Sequence, residues 1–477
     1  MVQSAKASVI STFLSNLRGG KSPVAFRHDQ YVSREDFLND IARMQARIEE
    51  CKEDRWGVFM DDAYLFGVAL VALLAVGKTP IILPNAQASF IHSIGNQLDA
   101  LIGDPIVGAT ELPHLQVTSG IGVTPTDREL PVLDGQHSGI VLFTSGSTGA
   151  PKRISKSLAQ LETEIAVLEG LWGPRLKDSI ILSTVTHQHI YGLLFKLLWP
   201  LVSGRCFDSV TYNDPWALAE QTQRFSHIAL VSSPAQLTRL PDSLDLTGLA
   251  SKASMVFSSG GPLPESAALT LRERFGFGVY EVLGSTETGG IAFRSQVEVG
   301  LETPWQPLPS VRIKCAPGDN ALIINSPFEG SGDWYTTADT VELLPGDTFL
   351  LKGRNDNIVK VEEKRLSLTE LEHRLCACDL VAEAGAAVQE THRSTVVVVL
   401  VLSEEGRHFL RLHSKRELER ELKGYLLGYF EPVLLPKKWR YVENLPCDSQ
   451  GKVTQSALLE LFSSSRTGPS SHQSRSR

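Results

Sequence analysis

The sequence predicts an α/β chain, a large first domain of mixed sheets with packed helices followed by a small α+β domain, and three observations predict it. Short apolar runs alternate with helix-like stretches from Ala63 to about Leu283. Past Gly289 the texture changes to shorter strands and turns, and a second set of strand and helix signals begins near Arg354. Alternation of the first kind argues for mostly parallel strands with helices packed on them. At 477 residues and 42% apolar content, the chain exceeds the ~100–200 residues of one ordinary domain. The expected division is 1–353, 354–462 and a tail, 463–477.

The opening MVQSAKASVISTFLSN has no basic region followed by an apolar core and a small-residue cleavage site, so a secretory leader is not expected and the cytoplasm is. Ala63 to Gly77 is apolar throughout. It is shorter than the ~20 residues of a membrane span and reads as a buried core helix. Ile81–Leu83, Gly139–Phe143, Ile180–Leu182, Ile228–Val231, Met255–Phe257 and Val279–Leu283 read as strands buried on both faces, being apolar without polar alternation. Ser, Thr, Gly or Pro comes after each, the composition of the strand-end loops where α/β proteins place ligands. Val311–Cys315 and Ala321–Asn325 are shorter strands. In the second domain, Ser367 with Glu370 has the spacing of a capping box. Val396–Leu402 is a strand with five valines in seven residues, and a helix is expected from about Lys415 to Tyr429. The loop Asn444–Lys452 and a short helix close the unit. The serine-rich tail has no apolar side chain larger than proline and is expected to be disordered.

Charge and cysteine usage exclude some functions. A net charge of -8 leaves no basic field for a phosphate backbone, so nucleic acid is not an expected partner. Cys51, Cys206, Cys315, Cys376, Cys378 and Cys447 form no CxxC pair and read as thiols of a reducing compartment.

The segment Thr144-Ser145-Gly146-Ser147-Thr148-Gly149-Ala150-Pro151-Lys152 comes directly after the strand ending at Phe143. Glycines let backbone N–H groups approach phosphate oxygens, hydroxyls add donors, and a lysine adds charge. The spacing is not that of the Walker loop. Composition alone fits a phosphate cradle and a Gly/Ser-rich surface loop equally well.

The order of residues in this segment resembles the signature loop of the adenylate-forming superfamily: acyl-CoA synthetases, luciferases and nonribosomal adenylation domains. Further segments resemble that family's downstream elements in family order, from about residue 60 to 460. His187-Gln188-His189-Ile190-Tyr191-Gly192 is similar to the acyl-pocket segment, with His189, Tyr191 and Gly192 as pocket residues. Ser259-Gly260-Gly261-Pro262-Leu263 is similar to the loop flanking adenine, with Leu283, Gly284 and Ser285 on its other side. Thr286 and Glu287 stand where the family has an α-phosphate ligand and a Mg²⁺-supporting carboxylate. Asp339, in Tyr335-Thr336-Thr337-Ala338-Asp339, and Arg354 fall on ribose-binding positions. Asp356 falls on the hinge and Lys452 on the catalytic lysine.

The resemblance implies a mobile C-terminal domain, ATP and Mg²⁺, a small carboxylic acid as substrate, and a thiol acceptor on CoA or a phosphopantetheinyl acyl carrier protein. In the implied reaction the acid attacks the α-phosphorus of ATP. Lys452 supplies positive charge beside the two reacting anions, the Thr144–Lys152 loop binds phosphates, and positioning plus electrostatics lower the barrier.

Three positions depart from the family pattern. Leu283 replaces an aromatic that stacks on adenine, giving up roughly 0.5–1.5 kcal/mol of ring-specific attraction. Glu363 replaces a glycine near the pantetheine path, where a carboxylate repels CoA phosphates; this makes a carrier protein as serious an acceptor as CoA. Gln455 stands where relatives often have arginine. The run Lys360 to Arg365 is also similar to compact bacterial ligases of fatty-acid-like and aryl-polyene pathways. Hydroxybenzoates, coumarates and medium-chain fatty acids are the candidate acids. The alternatives are an acyl-AMP ligase with a non-thiol acceptor and a nucleotide-binding regulator without turnover.

Overall fold

A computed structural model describes residues 10–11, 23–106, 112–119, 130–145, 151–176, 178–243, 247–298, 302–318, 320–354, 358–361, 364–389, 395–430, 432–447 and 453–463. They divide into two compact units. The first takes the described residues of Met1–Ile313, Ile324–Tyr335 and Pro345–Thr348; the second takes those of Lys314–Ile323, Thr336–Leu344 and Phe349–Arg477.

Two large sheets organise the first unit among the described residues. One has six strands in the order Pro151–Ser157, Gly139–Ser145, Thr79–Ile82, Arg55–Phe59, Ala100–Gly103, His114–Leu115. Its pairs are parallel except the first, which is antiparallel. The other has nine strands: Gln306–Pro307, Gly289–Arg294, Tyr280–Ser285, Ala253–Ser258, Ile228–Ser232, Ile180–Ser183, Phe207–Asp208, Ala25–Arg27, Gln30–Val32. Its middle is parallel and both edges turn antiparallel. Each expected apolar strand of this unit is present, within two residues at either end. The apolar run is the helix Ala63–Ala75, buried nearly all round and capped by Asp62, whose carboxylate accepts from the N–H groups of Tyr64 and Leu65. A helix this apolar is stable only inside a core. No described helix is long and apolar enough to cross a membrane.

In the second unit the valine-rich strand, Thr395–Leu402, sits between Val381–Gln389 and Lys438–Tyr441. Val396, Val398, Leu400 and Leu402 join one buried cluster with Leu371, Leu375, Leu418 and Leu422; Val397, Val399 and Val401 join another with Leu458 and Phe462. Burial on both faces explains the unbroken apolar run.

Two local expectations change. Ser367 caps its helix by accepting from the Glu370 N–H, but the reciprocal bond of a capping box is not made, because Glu370 accepts from Arg374 Nε one turn on. The helix beginning at Lys415 ends at Leu426, three residues before Tyr429, where Gly428 and then Pro432 break the pattern.

Candidate active site

The signature segment is the connection of an antiparallel hairpin. Gly139–Ser145 pairs residue for residue with Pro151–Ser157, placing Thr144 opposite Lys152. Gly146, Ser147, Thr148 and Gly149 lie outside the described residues. The second strand, reading PKRISKS, carries no apolar signal apart from Ile154. It is an edge strand with mostly exposed or half-exposed side chains, and Lys156 is its one buried residue.

Lys152 reaches a residue 135 positions away: its Nζ donates to Glu287 Oε1 at 3.2 Å. Glu287 belongs to the turn 286–288 joining Tyr280–Ser285 to Gly289–Arg294. The turn is braced from within, the Thr288 N–H donating to Ser285 Oγ at 3.2 Å and the Ser285 N–H to Thr288 Oγ1 at 3.1 Å. It closes on Gly289 at φ +68, where a Cβ would stand 2.6 Å from Glu164 Oε2. Half-burial alone would raise the Glu287 carboxyl, but its own backbone N–H, Lys152 and the Ser285 hydroxyl outweigh that and hold it below the usual carboxylate range. An ionised carboxylate with a displaceable lysine suits a magnesium ion, which keeps several waters and asks for one or two carboxylates plus phosphate oxygens. Among the described residues, no three His, Cys, Asp or Glu side chains gather to hold a metal by themselves. The donor set therefore fits Mg²⁺ arriving with a nucleotide.

Beneath this turn lies a polar ladder that spacing alone did not reveal. Lys156, Gln160 and Glu164 succeed one another at four-residue intervals across the start of the helix Leu158–Trp172. Lys156 Nζ donates to the Glu287 and Phe328 carbonyls, each at 2.7 Å. Gln160 Oε1 accepts from the Ser157 N–H to complete a capping box, while its Nε2 donates to the Phe328 and Glu329 carbonyls at 3.1 and 2.7 Å. Glu164 Oε1 accepts from the Gly290 N–H at 2.8 Å. Burial pushes Glu164 up to about 7 against the pull of Gly290 and Lys156, and it lowers Lys156 against nearby Glu164, Glu329 and Glu287. Nothing in the sequence sets Lys156 and Glu164 apart from ordinary solvated charges, since Glu162, Thr163 and Glu169 share the same helix.

The segments expected to flank adenine meet at the carboxyl ends of two parallel strands, Ala253–Ser258 and Tyr280–Ser285, the usual ligand edge of such a sheet. Ser259 Oγ donates to the Val282 carbonyl at 2.8 Å, and Gly260 turns the chain at φ +93. Buried Glu281 holds the loop from below, accepting from the Leu263 N–H at 3.0 Å and from Arg294 Nε at 2.9 Å. Gly260, Gly261, Pro262 and Gly284 are exposed, while Leu283 and Ser285 are half-buried.

The segment expected to line the acyl pocket lies past the end of Ile180–Ser183. His189 precedes the helical turn Ile190–Gly192, which continues into a π-helical stretch, Leu193–Leu198. Tyr191 packs on Phe195 with ring centroids 4.9 Å apart, and its hydroxyl is buried. Gly192 lies against the Thr186 carbonyl, with no room for a side chain. His187 Nε2 is 2.9 Å from the Met60 carbonyl, and Gln188 Nε2 donates to the same oxygen. Burial holds the His187 ring well below its usual pKa, so it serves as a neutral structural contact. Lys196, fully buried on the π-helical stretch, donates to the Val210 carbonyl at 3.0 Å and to Thr211 Oγ1 at 2.7 Å; burial brings it to about 7.

In the second unit Arg354 Nη1 donates to Asp339 Oδ1 at 3.2 Å, so the two ribose candidates stand together on neighbouring strands. Asp356, Glu363 and Lys452 lie outside the described residues.

Known proteins resemble this chain over most of its length. The family described as AMP-binding enzyme matches residues 100–327. The acetyl-coenzyme A synthetase of Pasteurella multocida is 27% identical over 67% of this chain, which spans 56% of that protein's length. The 4-hydroxybenzoate–CoA/benzoate–CoA ligase of Rhodopseudomonas palustris is 22% identical over 93% of this chain and 91% of its own. Among solved structures, the O-succinylbenzoate coenzyme A synthetase of Bacillus subtilis, in complex with ATP and magnesium ion, superposes with a TM-score of 0.75 over 94% of this chain and 99% of its own at 17% identity. The AMP-binding enzyme match and these relatives support the adenylate-forming superfamily for this chain, and the solved structure shares its α/β fold.

Proposed function

We propose that the protein is an ATP-dependent carboxylic acid ligase that forms acyl-AMP and pyrophosphate and then transfers the acyl group to a phosphopantetheine thiol. The contact between Lys152 and Glu287 at 3.2 Å carries this reading. It joins the phosphate-loop hairpin to a turn bearing an ionised carboxylate. On this reading, Lys152 and the backbone around Thr144 to Gly149 bind the β- and γ-phosphates, Thr286 binds the α-phosphate, and Glu287 supports Mg²⁺. When bound, the ion neutralises charge on the departing pyrophosphate. Ser259 to Pro262 and Leu283 to Ser285 line the adenine. Asp339 and Arg354 hold the ribose, and His189, Tyr191 and Gly192 shape the acyl end.

Lys452 is assigned the charge beside the attacking carboxylate and α-phosphorus, and Asp356 the pivot of a C-terminal domain taken as 354–462. Glu363 keeps an acyl carrier protein beside CoA as acceptor, although the names of the relatives support CoA. Hydroxyaryl acids and medium-chain fatty acids are the first acids to try.

Acid-dependent exchange of labelled pyrophosphate into ATP tests the first half directly. An active acid should be found in a panel of aryl and fatty acids, and Lys452→Ala should lower that exchange by roughly 10²-fold or more, the scale of losing one preorganised charge stabiliser. Exchange in Lys452→Ala equal to wild type would remove the lysine's role. Absence of exchange with every acid, despite ATP binding, would favour a nucleotide-binding regulator.

A further inference from the structure

We propose that Lys156 is a positioning residue: by clamping the main chain at Glu287, it frees that residue's carboxylate to exchange its Lys152 partner for a magnesium ion. The inference rests on the ligase reading and adds a residue that reading does not assign.

Two lysines four residues apart on one strand meet the same glutamate at opposite ends. Lys152, half exposed, holds the carboxylate, and Lys156, 3% exposed, holds the carbonyl. When nucleotide binds, Lys152 is wanted by phosphate and its hold on Glu287 is lost. A turn fixed only through that contact would then relax. Lys156 does not share the problem, because its ammonium is inside the protein and its second bond, to Phe328, ties the turn to a separate loop. Gln160 donates to the same Phe328 carbonyl, and Glu164 fixes Gly290 just beyond the turn. Three positions of the turn and its exit are thereby restrained: the Glu287 carbonyl by Lys156, Gly289 by the space Glu164 and Phe328 leave it, and the Gly290 N–H by Glu164. Partners of this kind, one shell behind a metal ligand, typically change metal affinity about 10- to 100-fold when lost.

Thermal unfolding at a fixed ATP concentration, with Mg²⁺ titrated, reads the effect without turnover. In wild type the melting temperature should rise with Mg²⁺ as the nucleotide complex forms. In Lys156→Met the Mg²⁺ concentration giving half of that rise should increase at least about tenfold. The single variant leaves Glu164 buried without its cation. The double variant Lys156→Met/Glu164→Gln removes both charges and is expected to recover the melting temperature of the ligand-free protein. If Lys156 positions the turn, the double variant keeps the raised Mg²⁺ requirement. A wild-type Mg²⁺ midpoint in either variant overturns the proposal and leaves the ligase reading intact. A wild-type protein whose melting temperature ignores ATP with Mg²⁺ overturns the ligase reading, and the inference falls with it.

Discussion

Two regions of the first unit are each built over a buried lysine, and they handle it differently. Under the 286–288 turn, Lys156 has two carbonyl acceptors and a buried carboxylate, Glu164, nearby. Behind the acyl segment, Lys196 has one carbonyl and one hydroxyl, with Asp208, Asp62 and Asp61 contributing charge, and burial leaves it near pH 7. Burial lowers both lysines, and nearby carboxylates pull each back towards its charged form. The first arrangement fixes a turn in one geometry. Both make the fold's stability depend on pH, the first through Glu164 and the second through Lys196 itself.

Glu287→Gln should separate the regions most sharply. It keeps the backbone carbonyl that Lys156 holds but discards the ionised carboxylate. Pyrophosphate exchange is expected to fall roughly 10²-fold, with Mg²⁺ no longer raising the melting temperature and the ligand-free melting temperature within a few degrees of wild type. Persistence of a normal Mg²⁺ response would move metal support to another residue.

Gly289→Ala tests the clamp by steric means. A methyl at φ +68 meets Glu164 Oε2 at 2.6 Å and Phe328 Cβ at 2.7 Å. A strained backbone of this kind costs about 1–3 kcal/mol, to be read as an earlier transition in urea. An unchanged transition would show that the turn is looser than the ladder beneath it implies.

The pH dependence of stability separates the two regions, through Lys196 and Glu164, with the smallest effects. Lys196, lowered to about 7 from 10.5, binds fewer protons folded than unfolded between those values. Stability therefore rises with pH above about 7, and Lys196→Met should lose that rise. Glu164, raised to about 7 from 4.5, binds more protons folded than unfolded in that range. Stability falls as pH rises from about 4.5 to 7, and Glu164→Gln should flatten part of the fall. Glu372 in the second unit, also pushed up to about 7 by burial, retains its own share. Melting temperatures from acid to alkaline pH, spanning both windows, check the two groups; parallel wild-type and variant curves would show that neither titrates in its window.

Much of the fold could be read from the sequence because buried parallel strands announce themselves as apolar runs, as Ile228–Ser232 and Thr395–Leu402 do. The strand Pro151–Ser157 could not, since an edge strand with polar side chains looks like loop. Thr144, Lys152, Thr286 and Glu287 were readable as a set because their order resembles a family's. The contact between Lys152 and Glu287 crosses 135 residues and joins a strand of one sheet to a turn of another, which no local pattern announces. Lys156 and Glu164 look like ordinary solvated charges until the fold buries them at 3% and 4% exposure. The same limit applies on a smaller scale at Ser367, where spacing named the cap correctly but could not show Glu370 turning to Arg374.

The π-helical stretch Leu193–Leu198 also sets what kinds of sequence change the acyl segment tolerates. Tyr191 on one side of it meets Phe195, and Trp199 on the other meets both Phe195 and Phe257. Each residue added to or removed from a helix rotates the downstream turns by about 100°. A π-helical stretch holds about one residue more than α-helical turns would, so a single deletion here can be absorbed by tightening to α-helical spacing, whereas a further deletion would turn Trp199 away from Phe257. The segment expected to line the acyl end therefore has room for one shortening and for no further change in length, unlike a surface loop.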